Sequence, residues 1–386
     1  MNTIYNHIKG DKAIWFVVLL LAILSLLVVY SSIVTLAYRH HEGNTLYYLF
    51  RHSMFVIVGI GIIYAIHRVK YTYFSRISQL ALYISIPLLI LTLIIGANIN
   101  EASRWLVIPV INQTFQTSDL AKLALIMYIA RMLSLRQDEI KDFKRAFLPV
   151  VIPVLIVCAL ILPANFSTAA ALFASCIVLM FIGRISLKHI ISLIGIGIAG
   201  IALVLGLATI FPNMFPRAET WVNRIENFQR NDSKSNYQVE QSKIAIATGG
   251  IAGKGPGKST QRNFLPHPYS DFIYAIVIEE YGLIGGFGVV LLYLILLYRS
   301  IRIVIKSPKT FGALLAIGIS FSLVFQAMIN MAVAVNLLPV TGQPLPMVSM
   351  GGTSIWFTCL AIGIILSVSV EVENGIKIKG NQYATA

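Results

Sequence analysis

Ten apolar runs, most of them close to 20 residues, leave this chain little to become except a set of helices crossing a bilayer. They lie at about 13–37, 52–66, 79–97, 117–135, 147–162, 167–183, 190–211, 272–298, 310–333 and 354–372, the second being the shortest. About 20 apolar residues of helix span the hydrocarbon core, where only helices and closed barrels satisfy their own backbone groups. None of the runs shows the period-two alternation of a barrel strand. Composition agrees: 57% of the 386 residues are hydrophobic and 12% are charged, whereas soluble domains carry about 25% charged residues. The expected fold is an all-α integral membrane protein with about ten transmembrane helices, residues 1–386 forming a single polytopic domain. The first run follows Lys9 and Lys12 and is too long for a signal-peptide core, so it reads as a retained span. Cys158, Cys176 and Cys359 sit inside apolar runs, and neither a CxxC pair nor an HExxH spacing points to a metal.

Charge sets the orientation. The net charge is +14, and where the basic residues lie makes them a topology signal rather than a nucleic-acid footprint. Eighteen Lys and Arg fall in the loops of one side, in groups that begin at Lys9, Arg68, Arg131, Arg184, Arg299 and Lys377; the short loops opposite hold only Arg39, Arg51 and Arg104. The positive-inside rule places both termini in the cytoplasm. The one long polar stretch, 212–271 between spans seven and eight, then falls outside. Its eight basic residues are no contradiction, because long loops translocate regardless of charge.

Polar residues that keep close to the apolar runs are the candidates for chemistry. Ser103-Arg104-Trp105 is followed by the stretch from Phe115 to Lys122. Thr117 or Ser118 is placed to cap the fourth span, and Asp119 to complement its dipole. Asp119 and Lys122, three apart, share a helix face, either as a charge pair at a helix start or as part of a site. Arg104 and Trp105 equally suit an interfacial anchor. From Leu162 to Ala169 runs a tight turn in which Pro163 ends one helix and Ser167 or Thr168 starts the next.

The long polar stretch has its own divisions. Arg217 to Phe228 has the spacing of an amphipathic surface helix, and Tyr237 to Ala247 reads as a second short helix. Gly257-Lys258-Ser259 matches the end of a P-loop, but the first required glycine is Ala252 and no strand–loop–helix unit surrounds it. A glycine-rich turn whose amides and lysines approach a phosphate is the other option. The stretch ends at Leu265 to Phe272, where Pro266 and Pro268 stiffen the approach to Asp271. That carboxylate, at the mouth of span eight, either caps the helix or carries chemistry. Glu279 and Glu280, two turns further in, are functional or pair with basic residues. Gln326 and Asn330 lie four apart in span nine. The uncharged run from Asn336 to Ser354, with three prolines and three glycines, reads as re-entrant backbone packed against protein.

In their order and spacing these stretches resemble the SEDS family (shape, elongation, division and sporulation), over nearly the whole chain. The family's A-R-R-W and F-Q-P-S-E-L-A-K appear as Ser103 to Trp105 and Phe115 to Lys122, with Thr117 for proline and Asp119 for glutamate. Its Q-P-D-x-G-T-A turn is matched loosely by Pro163 to Ala169, with Asn165 in place of the acid and Ser167 in place of glycine. Y-Q-x-x-x-S-x-x-A-I corresponds to Tyr237 to Ile246, and G-x-G-x-G to Gly253, Gly255 and Gly257. L-P-E-x-H-T-D-F-I-F-A reads as Leu265 to Ala275, where His267 replaces Glu, Tyr269 replaces His, Ser270 replaces Thr, and Asp271 is kept. The long L-P-V-T-G-x-x-L-P-x-x-S-x-G-G-[ST]-S motif matches without a gap from Leu338 to Ser354. The N-terminal start, Gln343 and Met350 resemble the family's division branch more than its elongation branch.

The resemblance implies a glycosyltransferase, a hexosyltransferase that polymerises lipid II (undecaprenyl-diphosphate-linked disaccharide-pentapeptide) into glycan strands on the outer face of the bacterial cytoplasmic membrane, at the division septum. Asp271 matches the catalytic general base. Arg104 and Lys122, with Arg224, are the candidates to stabilise the leaving diphosphate. Trp105, Asp119, Gln238, Ser242, Thr341, Gly342, Ser349, Gly351 and Gly352 are the further substrate-site positions. A divalent cation, Mg or Mn, is the one cofactor such chemistry admits, although no carboxylate cluster demands it. Implied partners are lipid II, the growing strand, a class B penicillin-binding transpeptidase and other divisome membrane proteins. The alternatives are an elongation polymerase or a flippase for the lipid-linked precursor, with a polar groove of Asp119, Lys122, Gln326 and Asn330.

Overall fold

The computed structural model describes residues 9–40, 43–99, 102–108, 113–210, 218–230 and 237–384. Within the long polar stretch, 212–217 and 231–236, Arg217 among them, lie outside the described residues. In chain order the elements are α1 (Lys12–Ser32), α2 (Val34–His40), α3 (Thr45–Ile66), α4 (Tyr73–Ile95), β1 (Ala97–Ile99), β2 (Ala102–Ile108), β3 (Gln113–Gln116) and α5 (Thr117–Leu135). There follow α6 (Leu148–Ile161), entered through a wider turn at Phe143–Phe147, α7 (Phe166–Ile182), α8 (Leu187–Ile210), α9 (Ala218–Arg230) and α10 (Tyr237–Gly249). The chain then forms α11 (Ile273–Lys306), α12 (Thr310–Ala334) and α13 (Thr353–Ala384).

A helix occupies each of the ten expected spans, and eight of them are long and apolar enough to cross a membrane. Of the other two, α7 is shorter at 17 residues, and α5 carries Asp119, Lys122 and Arg131. The second span, expected as the shortest, is a full 22-residue helix. Asn44 caps it well before the apolar run, its side chain accepting from the Tyr47 amide at 3.1 Å. The added turns carry Tyr47, Tyr48 and Arg51, residue types that favour the membrane interface.

The chain divides into two compact units. The first comprises Met1–Val69, Arg230–Ile303 and Leu323–Ala386; the second comprises Lys70–Gln229 and Val304–Ser322. In the first, α1 buries Ile14, Val17, Val18, Leu21 and Val28 at helical spacing while Phe16, Leu19, Ile23 and Leu27 stay exposed. Both faces are apolar, as a span requires. Asp11 caps α1 by accepting from the Ala13 and Ile14 amides at 3.0 and 3.2 Å. The same carboxylate pairs with Arg299 of α11 at 2.6 Å, and the Asp11 amide donates to Ser369 of α13 at 2.8 Å. The start of α1, the last turns of α11 and the later part of α13 therefore meet. Gly59 of α3 lies against Cys359 of α13, where an added Cβ would come within 2.6 Å of its sulfur, the close approach small residues allow between membrane helices.

The second unit holds a three-stranded antiparallel sheet in the order β1-β2-β3, which the all-helical expectation did not contain. Its register sets Trp105 opposite Gln116 and Leu106 opposite Phe115. Pairing thus carries the Arg104-Trp105 backbone alongside the entry to α5. Two expected caps are corrected here. The N-cap of α5 is Gln116, without a side-chain cap bond, because Thr117 bonds to Thr92 at 2.9 Å and Ser118 Oγ accepts from the Gln116 side-chain Nε2 at 3.0 Å. The cap of α7 is Asn165, not Ser167 or Thr168; its Oδ1 accepts from the Thr168 amide at 3.3 Å. The amphipathic helix expected near 217–228 is α9, and its Trp221 ring packs on Phe166 at 5.2 Å between centroids.

Candidate active site

The site is built from a non-helical chain segment held by helices. Residues 335–352, between α12 and α13, have no regular secondary structure, so their backbone groups find partners in local turns and in side chains. Gln326 donates to the Pro344 carbonyl at 3.0 Å, and Asn330 to the Gln343 carbonyl at 2.7 Å. Tyr293 bonds to the Pro346 carbonyl. Ser25 donates to the Val348 carbonyl at 2.9 Å while hydrogen-bonded to His52 at 2.8 Å. Ser349 accepts from the Leu345 amide at 2.8 Å, tightening the segment on itself.

This segment holds Asp271. Ser349 Oγ donates to the Ser270 carbonyl at 2.7 Å, and the Met350 amide donates to the Tyr269 carbonyl at 2.9 Å. Asn330 reaches the Asp271 carbonyl at 2.8 Å. The His267 and Tyr269 rings meet edge to face at 6.1 Å. Helix α11 starts at Ile273, and the Phe272 carbonyl accepts from the Ala275 amide at 3.0 Å, so the capping position is Phe272 rather than Asp271. The Asp271 carboxylate is partly exposed and accepts from Ser270 Oγ at 2.9 Å. Among the described residues no basic side chain pairs with it. Gly342, at φ +65°, brings bare backbone beside it: a Cβ there would stand 3.7 Å from Oδ2. At that φ a glycine is favoured for conformational reasons as well.

Of the other sites expected in this unit, Ser349 and Gly342 come together with Asp271, and Thr341 is the next residue to Gly342. Gly351 and Gly352 form the entry to α13, their carbonyls accepting from Ser354 and Ile355 at 3.1 and 3.2 Å. Ser242 of α10 is fully buried and donates to the Ala334 carbonyl at 2.7 Å, fastening α10 to the point where the non-helical segment begins. Gln238 lies on the same helix and is partly exposed. Gln326 and Asn330, expected in a transport groove, spend their amides on the backbone that surrounds Asp271.

The glycine-rich turn does not offer its amides to a phosphate. The Lys254 and Gly255 amides donate to the Glu279 and Glu280 carbonyls, each at 2.9 Å. The Thr260 and Gln261 amides go to the Glu279 carboxylate at 3.0 and 3.2 Å. Ser259 Oγ and Lys254 Nζ complete its shell, the lysine at 2.6 Å. The anion held here is the protein's own side chain, fully buried. Gly249, Gly253 and Gly282 are required by contact: a Cβ on any of them would run into the backbone carbonyl of Ile278, Glu280 or Ile251. Gly282, at φ +69°, breaks α11 at that point. Glu280 is bonded by Ser31, whose hydroxyl and carbonyl Arg262 also reaches at 3.0 and 3.1 Å. Ser25, Ser31 and Tyr293 escaped the sequence reading, although each is a polar group inside an apolar run, which is the available signal.

In the second unit Lys122 pairs with Asp119 at 2.8 Å, the carboxylate 6% and the lysine 19% exposed. Asp119 Oδ2 is buried without a hydrogen bond. Arg104 lies in β2, with Trp105 next to it partly buried, and Arg224 is carried by α9. Among the described residues no three His, Cys, Asp or Glu side chains converge on a metal position.

The family profile described as "Cell cycle protein", covering FtsW, RodA and SpoVE, matches residues 11–374. Stage V sporulation protein E of Bacillus subtilis (strain 168) is 34% identical over 363 residues, 93% of this chain and 96% of its own length. The "Probable peptidoglycan glycosyltransferase FtsW" of Trichlorobacter lovleyi is 33% identical over 368 residues, 94% of each chain. Among solved structures, a chain of a peptidoglycan synthase complex that coordinates polymerization and crosslinking aligns with a TM-score of 0.72 at 24% identity, covering 94% of this chain and 98% of that one. The rod shape determining protein RodA of Thermus thermophilus aligns with a TM-score of 0.65 at 22% identity, covering 93% and 96%. These two show a shared fold. The chain belongs to the cell cycle protein family of FtsW, RodA and SpoVE.

Proposed function

We propose that this protein is a peptidoglycan glycosyltransferase that polymerises lipid II on the outer face of the cytoplasmic membrane during cell division, with Asp271 as general base. The observation that carries the reading is the state of that carboxylate: it is fixed through its backbone, without a basic partner among the described residues, and set beside bare glycine backbone. A general base needs that combination of position and unspent acceptor capacity. The acceptor sugar hydroxyl loses its proton to Asp271 as its oxygen bonds to the anomeric carbon of the donor, and the bond from that carbon to the diphosphate breaks. Charge gathers on the leaving diphosphate and cations stabilise it, the role that the family resemblance gives to Lys122, Arg104 and Arg224. Asp119 holds Lys122 in place for that task. A divalent cation, Mg or Mn, would supply positive charge to the leaving diphosphate; among the described residues no group of three His, Cys, Asp or Glu side chains gathers to hold one.

The division role is supported by relatives that carry the FtsW name, and the flippase reading is weakened because Gln326 and Asn330 are committed to backbone carbonyls. The peptidoglycan synthase complex to which the fold is similar supports a class B penicillin-binding transpeptidase as partner. The basic loops of one side support a cytoplasmic position for both termini, and the meeting of Asp11, Arg299 and Ser369 is in keeping with that reading.

The experiment is polymerisation of labelled lipid II by the purified chain with its transpeptidase. Asp271→Asn keeps the shape and removes the base, and is expected to lower the rate at least about 10²-fold while insertion and transpeptidase binding persist. A rate equal to wild type would remove Asp271 from the role. Transport of labelled precursor across vesicles without glycan product would favour the flippase instead.

A further inference from the structure

We propose that the end of α5 opposite Asp119 carries a binding site for the phosphate headgroup of an anionic phospholipid. Gln79 of α4 and Tyr128, Arg131, Met132, Leu135 and Arg136 of α5 and its C-cap line a cavity of about 460 Å3, within the range of small-ligand sites. Its charged groups are both guanidinium, and no carboxylate lines it. Arg131 is held by a hydrogen bond to the Gln79 carbonyl oxygen, and Gln79 is braced in turn by donating to Tyr83 at 3.1 Å. The Arg131 Nε–H is buried and bonds to nothing among the described residues.

Buried donors of this kind are almost always satisfied, and an oxyanion is the partner that a guanidinium fork fits best. Arg136 is ion-paired with Glu139 at 3.5 Å, but it shares that one carboxylate with Arg145 at 2.6 Å, so two guanidinium groups stand against a single anion. Arginines that merely snorkel would extend to open water; Arg131 instead is tied back across the cavity. The apolar Met132 and Leu135 and the Tyr128 ring supply what a free phosphate has no use for, a wall for glycerol and acyl carbons. Basic pockets between helices at the cytoplasmic surface bind anionic headgroups in this way. The orientation proposed above enters only in naming the cytoplasmic leaflet as the source.

The test is native mass spectrometry of the full chain in detergent with equal amounts of phosphatidylglycerol and phosphatidylcholine. Wild type is expected to retain phosphatidylglycerol in preference, with retention falling at least about tenfold in the Arg131→Gln/Arg136→Gln double variant. Met132→Trp, which fills the cavity and keeps both charges, is expected to lose the lipid as well, so that a folding defect in the double variant is not mistaken for the result. Equal retention by all three proteins, or no preference between the lipids, would overturn the site. Displacement of the lipid by millimolar inorganic phosphate would overturn the lipid and leave a free-anion site.

Discussion

Asp271 takes its position from its neighbours' side chains and its chemistry from what they leave untouched. Asn330, buried to 1% exposure, bridges the Asp271 and Gln343 carbonyls, so it joins the turn to the segment carrying Gly342. Removing it strands two carbonyls, at about 1–3 kcal/mol for each that stays dry, and lets the carboxylate drift. Asn330→Ala is expected to slow polymerisation by about 10- to 100-fold with lipid II binding retained; an unchanged rate constant would separate Asn330 from positioning. Asn165 teaches a different lesson. The family pattern has an acid there. In place, Asn165 caps α7, a job Asn and Asp do equally well. Asn165→Asp is therefore expected to leave the stability, read by denaturation in detergent, within about 0.5 kcal/mol of wild type, and Asn165→Ala to cost about 1 kcal/mol.

At the scale of elements, the contact between the glycine-rich turn and the kink of α11 organises the long polar stretch. Glycine spacing was visible in the sequence, but its cause was not. Gly253 and Gly282 belong to opposite sides of one backbone-to-backbone approach, and only the folded chain brings them together. Glu279 is the buried centre of that approach. Glu279→Ala would leave Lys254 without its partner and several amides unsatisfied, and is expected to destabilise the fold by about 3–5 kcal/mol, read from folded yield and denaturation midpoint in detergent. Lys258→Ala, at an exposed position of the same turn, is expected to change neither stability nor polymerisation. A phosphate-binding turn would give the reverse order. The small sheet was illegible for a different reason: Ala97 is the apolar end of the third expected span, so the short hairpin that pairs it with Trp105, only eight positions on, has no run of alternating residues to announce it.

For the whole molecule, the decisive question is which side the polar stretch faces. All three cysteines are buried, so single cysteines can be introduced on a silent background. In intact cells, a membrane-impermeant maleimide is expected to label Lys258→Cys, and to label Lys306→Cys only after permeabilisation; both positions are exposed. The opposite pattern would invert the orientation and with it the proposed site of glycan synthesis. Spans and the Leu338 to Ser354 motif were legible because hydropathy and short-range spacing are local properties of a chain. Which face of each span is buried was not, since a membrane helix is apolar all round and lipid is as acceptable to leucine as another helix is. Nor was the choice of partner for each buried polar group, because a side chain such as Asn330 or Glu279 satisfies itself on whatever backbone the fold delivers. Folding settled those choices, and among them were the bonds that hold Asp271 in place while leaving its carboxylate, among the described residues, with the Ser270 hydroxyl and no basic partner.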